Sequence, residues 1–193
     1  MEAGHGPGQY RRPSLSVTLA LTIVFSALIA VATIFSIPLP APLYEITWAP
    51  AIYLALGALA DPVTAFAATG FGSFLGEAFN VSFKGGGSPI YPAGMIWARA
   101  PEVLIIALAK RRGTKALTVA MVGATAYETL AFFFSDWAFY VYGLFGYGNP
   151  TSVALGFTAA SPDFFTLLDL VFIPAALALI QAAGPAFRRL GFA

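Results

Sequence analysis

The chain has 193 residues, 59% of them hydrophobic and 10% charged, with a formal net charge of +1 and a mean hydropathy of +0.79. Soluble domains carry about a quarter charged residues, so there is too little polar side chain here to coat a globular surface, and the expected solvent is lipid. Cysteine is absent and the single histidine, His5, lies in a polar, glycine-rich tail, which excludes disulfides, thiol nucleophiles and His/Cys metal sites and leaves almost no room for a Ser-His-Asp triad.

Nucleotide hydrolysis is also excluded within this chain. No Walker-type loop is present, because Gly113-Thr114-Lys115 runs in the wrong order for one. The chain is therefore not expected to be an enzyme or to hold a cofactor or metal. ATP-driven work would need another subunit.

Six apolar segments follow in order. The first, about Leu15 to Ile37, is long enough to span a bilayer and is ended by the proline-rich IPLPAPLYE. It is too long for a signal-peptide core, so it reads as a retained span. The second, about Thr47 to Ala60, is short for a ~30 Å core and is expected to begin inside the protein. Asp61-Pro62 turns the chain into the third, about Val63 to Phe83. After a loop, KGGGSPIYP, the fourth runs from about Ala93 to Ala109 and carries Pro101 as a kink. The fifth covers about Ala116 to Tyr142. A long loop, GLFGYGNPTSVALGFTAASP, leads to the sixth, about Asp163 to Ala183, with Ser161 as its N-cap and Pro162 in its first turn.

Basic residues set the orientation. With six spans, Arg11, Arg12, Lys110, Arg111, Arg112, Lys115, Arg188 and Arg189 all fall on one side, and Lys84 alone lies in a loop on the other. The positive-inside rule makes both termini cytoplasmic. The expectation is an all-α integral membrane protein, a bundle of six transmembrane helices. It has a tail over 1–14, one transmembrane unit over 15–187 and a short tail over 188–193. The basic runs are topology anchors at the lipid headgroups, and no nucleic-acid partner is expected. The loops 38–47, 83–93 and 143–162 are then external, long and rich in Gly, Pro and aromatics, which puts the binding apparatus outside.

Charges inside the spans are the candidate functional residues. Arg99 and Glu102 are three apart and share a face of the fourth segment. An arginine at that depth costs about 2.5–3.5 kcal/mol on insertion scales and needs a partner. Two readings stay open. Arg99 pairs with Glu102 or Glu77 and merely locks helices, or its planar fork holds a carboxylate, phosphate or carbonyl of a small molecule. Asn80 lies almost one turn beyond Glu77. Glu128 is the deepest acid of the fifth segment. Asp136, eight residues on, is rotated by about 80° and lies on the same broad side. Either could serve a ligand, a proton or an interhelical hydrogen bond. Asp169 faces the same choice, whereas Asp163 reads as a helix-start residue. Aromatics crowd the outer ends as a belt. Among them Trp48, beside Glu45, is the first candidate for a lid over a flat ligand, and Tyr140 the second. Small residues recur every four positions on the third segment, at Thr64, Ala68, Gly72 and Gly76, and on the first at Ser26, Ala30 and, nearby, Thr33.

This layout, with the strings SALIAVATIFSIPLP, ITWAPAIYLALGAL, GFGSFLGEAFN and ARAPEVLIIALAKRR, resembles the substrate-binding S component of energy-coupling factor (ECF) transporters, which import vitamins and related micronutrients. The likeness covers essentially the whole chain. It implies a prokaryotic cell-membrane protein that docks on a transmembrane T subunit driven by two ATPase subunits, with a pocket in the outer half of the bundle. Glu45 and Trp48 would lie on a gating loop, and Glu77, Asn80, Arg99, Glu102, Asp136 and Tyr140 at pocket depth, with Glu128 beneath. The family's Ala-x-x-x-Ala docking pattern has its nearest match in Ser26-x-x-x-Ala30, with Ala27 beside it, a departure at the first position. The mix of aromatics, one arginine and several acids fits a flat, polar, nitrogen-containing ring. The intramembrane acids Glu128, Asp136 and Asp169 also fit a stand-alone proton-coupled carrier.

Overall fold

A computed structural model describes residues 13–38, 45–84 and 88–192. The expected N-terminal tail with His5, Arg11 and Arg12, the residue Tyr44, and the glycines 85–87 lie outside the described residues, as does the side chain of Glu45. The described chain is helical apart from one short ladder. Its elements are α1 (Leu15–Ile34), β1 (Ser36–Pro38), β2 (Glu45–Thr47), α2 (Ala49–Leu59), α3 (Pro62–Phe79), α4 (Tyr91–Ala109), α5 (Thr114–Tyr142), α6 (Val153–Ala160) and α7 (Ile173–Arg189). A π-helical turn, Asn80–Lys84, extends α3, and a 3₁₀ segment, Ser161–Phe172, joins α6 to α7.

Four helical stretches are long and apolar enough to cross a membrane: α1, α4, α5 and the continuous run Val153–Arg189. Large apolar side chains stand exposed along them, among them Leu15, Ile23, Leu108, Val119, Leu155 and Val171. In water such surfaces would drive aggregation; in lipid they are the solvated face. The protein is a multi-pass helical membrane protein.

Helix α2 has only 11 residues, about 16 Å at 1.5 Å per residue, and it is the centre of the core. Tyr53, Leu54 and Leu56 are fully buried, with Ile29 of α1, Val103 and Ile106 of α4, Met121 of α5 and Ala176 of α7 around them. A helix apolar all round belongs in an interior, which explains why so short a segment is enclosed by its neighbours.

Local chemistry sets the other ends. The Asp61 carboxylate accepts from the backbone N–H groups of Val63 and Thr64, and Pro62 opens α3, so the α2–α3 turn is capped as the sequence implies. Close by, Lys110 Nζ donates to the Ala60 carbonyl at 3.3 Å. Burial and neighbouring Arg111 push the Lys110 pKa below the ordinary lysine value, and Asp61 opposes them. Gly143 ends α5 in the left-handed region, at φ 64°.

Helices α1 and α3 run parallel and meet backbone to backbone. A Cβ on Gly72 would stand 2.7 Å from the Ser26 carbonyl oxygen, and one on Gly76 2.8 Å from that of Ala30. Ser26 Oγ also donates to the Ala68 carbonyl. The four-residue stripe on α3 is therefore an internal seam, as small residues in membrane helices allow. Of the residues expected to dock another polypeptide, Ser26 is buried against α3 and turned away from such a role, whereas Ala30 is half-buried and Ala27 stands exposed among Ile23, Val24, Leu28 and Val31.

Three further departures matter. The loop expected over 38–47 begins and ends in a two-stranded ladder pairing Ser36 with Thr47 and Ile37 with Ile46. The loop after α5 contains α6. Arg188 and Arg189, expected to open the C-terminal tail, are the last turn of α7, and beyond it Phe192 folds back on Phe187, ring centroids 5.8 Å apart.

Candidate functional site

A cavity of about 940 Å³ opens at the end of the bundle remote from Lys110 and Arg188. Helix periodicity supplies its walls. Tyr91, Met95 and Arg99 recur every four residues along α4, and Phe132, Asp136 and Tyr140 do so along α5. From the end of α3 and its π-helical turn come Glu77, Asn80, Val81 and Lys84. The π-helical geometry, a feature frequent at functional sites, carries Asn80 and Lys84 to the same wall. Ile46 and Thr47 of β2 close one side.

The 3₁₀ segment contributes the wall that sequence reasoning missed. With three residues per turn, side chains at i and i+3 eclipse. Asp163, Thr166 and Asp169 therefore form one column, and all three line the cavity. On an α-helix Asp163 and Asp169 would point about 120° apart. Asp163 lies in the first turn of this segment, as a helix-start residue should, and it is a wall residue as well. Nothing in the periodicity of SPDFFTLLDLVF marks a 3₁₀ run, although Asp163 and Asp169 do share a spacing of twice three.

Beneath the cavity lies a buried charge network. Arg99, on the wall at 7% exposure, donates from Nε to Glu128 Oε1 at 2.7 Å. The Tyr53 hydroxyl lies 3.1 Å from Glu128 Oε2 and 3.4 Å from Asp169 Oδ2, so one proton faces two carboxylates. The guanidinium also sits 5.7 Å from the Tyr53 ring centre, a cation–π distance. One turn along α4, Glu102 is fully buried. Its Oε1 accepts from Thr125, and its Oε2 has no hydrogen-bond partner among the described residues. The partner of Arg99 is thus Glu128, not Glu102, because α5 brings its carboxylate alongside while Glu102 turns toward Thr125. Glu102 and Glu128 stand behind the wall and not on it. Tyr53 was missed because α2 reads as uniformly apolar.

Pro101 shapes α4 at this level. A proline cannot donate to the carbonyl four residues back, and that carbonyl, Trp97 O, accepts instead from the Tyr127 hydroxyl at 2.9 Å. Pro101 lies inside α4, as expected, and the freed carbonyl ties α4 to α5 at the residue before Glu128.

The connection from α5 to α6 forms the rim. Tyr147 donates to Asp136 Oδ1 at 2.7 Å, and its ring packs on Tyr140 and Phe139. Burial and that hydrogen bond raise the Tyr147 pKa above the ordinary phenol value. Ser88 donates to the Phe145 carbonyl across the rim.

Five expected site residues, Glu77, Asn80, Arg99, Asp136 and Tyr140, come together on the wall. Trp48 does not join them: it is 53% exposed and packs edge-on against Phe172, while its neighbours Ile46 and Thr47 face the cavity. No family model, curated protein or solved structure matches the chain.

Proposed function

We propose that this chain is the substrate-capture S component of an ECF-type importer in a prokaryotic cell membrane. It takes a small water-soluble vitamin or related heterocyclic micronutrient from outside and passes it inward with a T subunit and two ATPase subunits. In this reading the six passes are α1, α2, α3, α4, α5 and the run Val153–Arg189, and the basic end faces the cytoplasm. The observation that carries it is the cavity: about 940 Å³, within the range that encloses a drug-sized ligand, at the end away from the basic cluster, with Arg99 at its base. Aromatic rings and convergent polar groups on one wall suit a flat polar molecule better than a lipid.

Buried carboxylates favour a second reading, a stand-alone proton-coupled carrier. Glu102, Glu128 and Asp169 are all buried, and among them only Glu128 pairs with a cation among the described residues; acid chains at membrane depth serve proton relays. Proteoliposomes separate the two. Purified protein loaded with the molecule that accompanies it through purification should bind without sustained uphill uptake as an S component, and uptake should appear once T and ATPase subunits and ATP are added. Uptake driven by a pH gradient alone would establish the carrier instead.

A further inference from the structure

The charge balance of the cavity narrows its ligand, an inference that rests on the capture reading. Both cationic side chains on the wall are already engaged. Arg99 pairs with Glu128, and Lys84 donates to the Ile34 carbonyl at the C-terminal end of α1 and to Ser36. Three wall carboxylates, Asp136, Asp163 and Asp169, form no ion pair among the described residues. Asp136 accepts from the neutral hydroxyl of Tyr147, and Asp169 shares that of Tyr53. Asp163 Oδ2 is buried with no hydrogen-bond partner among the described residues. Asp136, Asp163 and Tyr91 line the same cavity, and the Tyr91 ring stacks on Phe132 with centroids 5.8 Å apart. Carboxylates beside an aromatic ring attract an organic cation.

Two further side chains point the same way without relying on those acids. Asn80 is 7% exposed and lines the cavity, yet its Oδ1 has no donor among the described residues. An N–H-bearing ligand complements that acceptor. Arg99 has Nη1 without an acceptor among the described residues. With Glu128 already neutralising it, the guanidinium suits a neutral carbonyl, hydroxyl or ring nitrogen better than a second anion. No group of acids among the described residues is arranged to hold a metal ion.

We propose that the ligand is an organic cation, a flat nitrogen heterocycle or ring-bearing amine. Its positive charge lies beside Asp136, Asp163 and Tyr91, and a neutral acceptor on it faces Arg99.

The full chain in lipid nanodiscs would be titrated with three pyridines of matched size: 1-methylnicotinamide (cationic), nicotinamide (neutral) and nicotinate (anionic). Tryptophan fluorescence and calorimetry read the binding. The cation should bind about tenfold or more tighter than nicotinate, and a D136N/D163N double variant should lose that order. Should the variant not fold, the order on the unmodified protein decides alone. Nicotinate binding as tightly as the cation, or no binding by any of the three, overturns the proposal. Mass spectrometry of the molecule released from purified protein separates the two levels. A neutral or anionic molecule sinks the cation assignment and leaves the capture reading standing, whereas release of lipid and detergent alone sinks both.

Discussion

The α1–α3 seam and the wall made by α4, α5 and the 3₁₀ segment are built on opposite plans. At the seam, Gly72 and Gly76 let two backbones touch, and a single added Cβ would collide with a carbonyl. Across the cavity, the facing positions are Tyr91, Arg99, Phe132, Asp136, Asp163 and Asp169, side chains too large and too polar for backbones to approach. Helices packed by van der Waals contact leave no room; helices held apart by hydrogen-bonded polar groups leave a chamber. The difference puts close backbone packing on one side of the molecule and a polar chamber over a buried ion pair on the other.

Four substitutions would break or sharpen that division. The largest effect is expected from Arg99→Ala, which leaves Glu128 buried without its cation and should cost about 3–5 kcal/mol, read as a lowered melting temperature in detergent. Unchanged stability would mean that Glu128 finds another partner. Next, Gly76→Val forces the seam open and should cost about 1–3 kcal/mol by overpacking, while the affinity of the cavity for its ligand changes far less than stability does. Tyr53→Phe removes the hydroxyl between Glu128 and Asp169 and should cost about 0.5–1.5 kcal/mol; a stabilised protein would show that the hydroxyl carries no net hydrogen bond. The smallest effect belongs to Tyr147→Phe. It frees the rim from Asp136 and should speed ligand dissociation about fivefold, with little change in melting temperature. Stopped-flow release rates test it, and an unaltered rate would reduce the rim to packing.

Much of the fold could be read from hydropathy and charge. The apolar segments, the short buried α2, the Asp61-Pro62 turn and a fourth helix that carries Pro101 within it all follow from side-chain chemistry local to each stretch. At the site, Arg99, Asp136 and Tyr140 were legible because an ionisable or amphipathic group at membrane depth must face protein, and helical spacing then fixes its neighbours. Three features were not legible. Trp48 leaves the cavity because the chain turns there from β2 into α2, with helical backbone angles at Trp48, and its ring packs on Phe172. Asp163 joins Asp169 through a 3₁₀ geometry that depends on tertiary packing. Ser26 and Ala30 show a small-residue face, but a periodic stripe does not say which helix covers it.

The most direct measurement is of what the cavity carries. Wild-type protein and an Arg99→Gln variant would be purified and washed identically, denatured, and their released small molecules quantified by mass spectrometry. Near-stoichiometric release of one small polar molecule from the wild type, with a clear loss from the variant, is the predicted result. Lipid and detergent alone from the wild type, or equal loads on both proteins, would contradict a capture site built on Arg99.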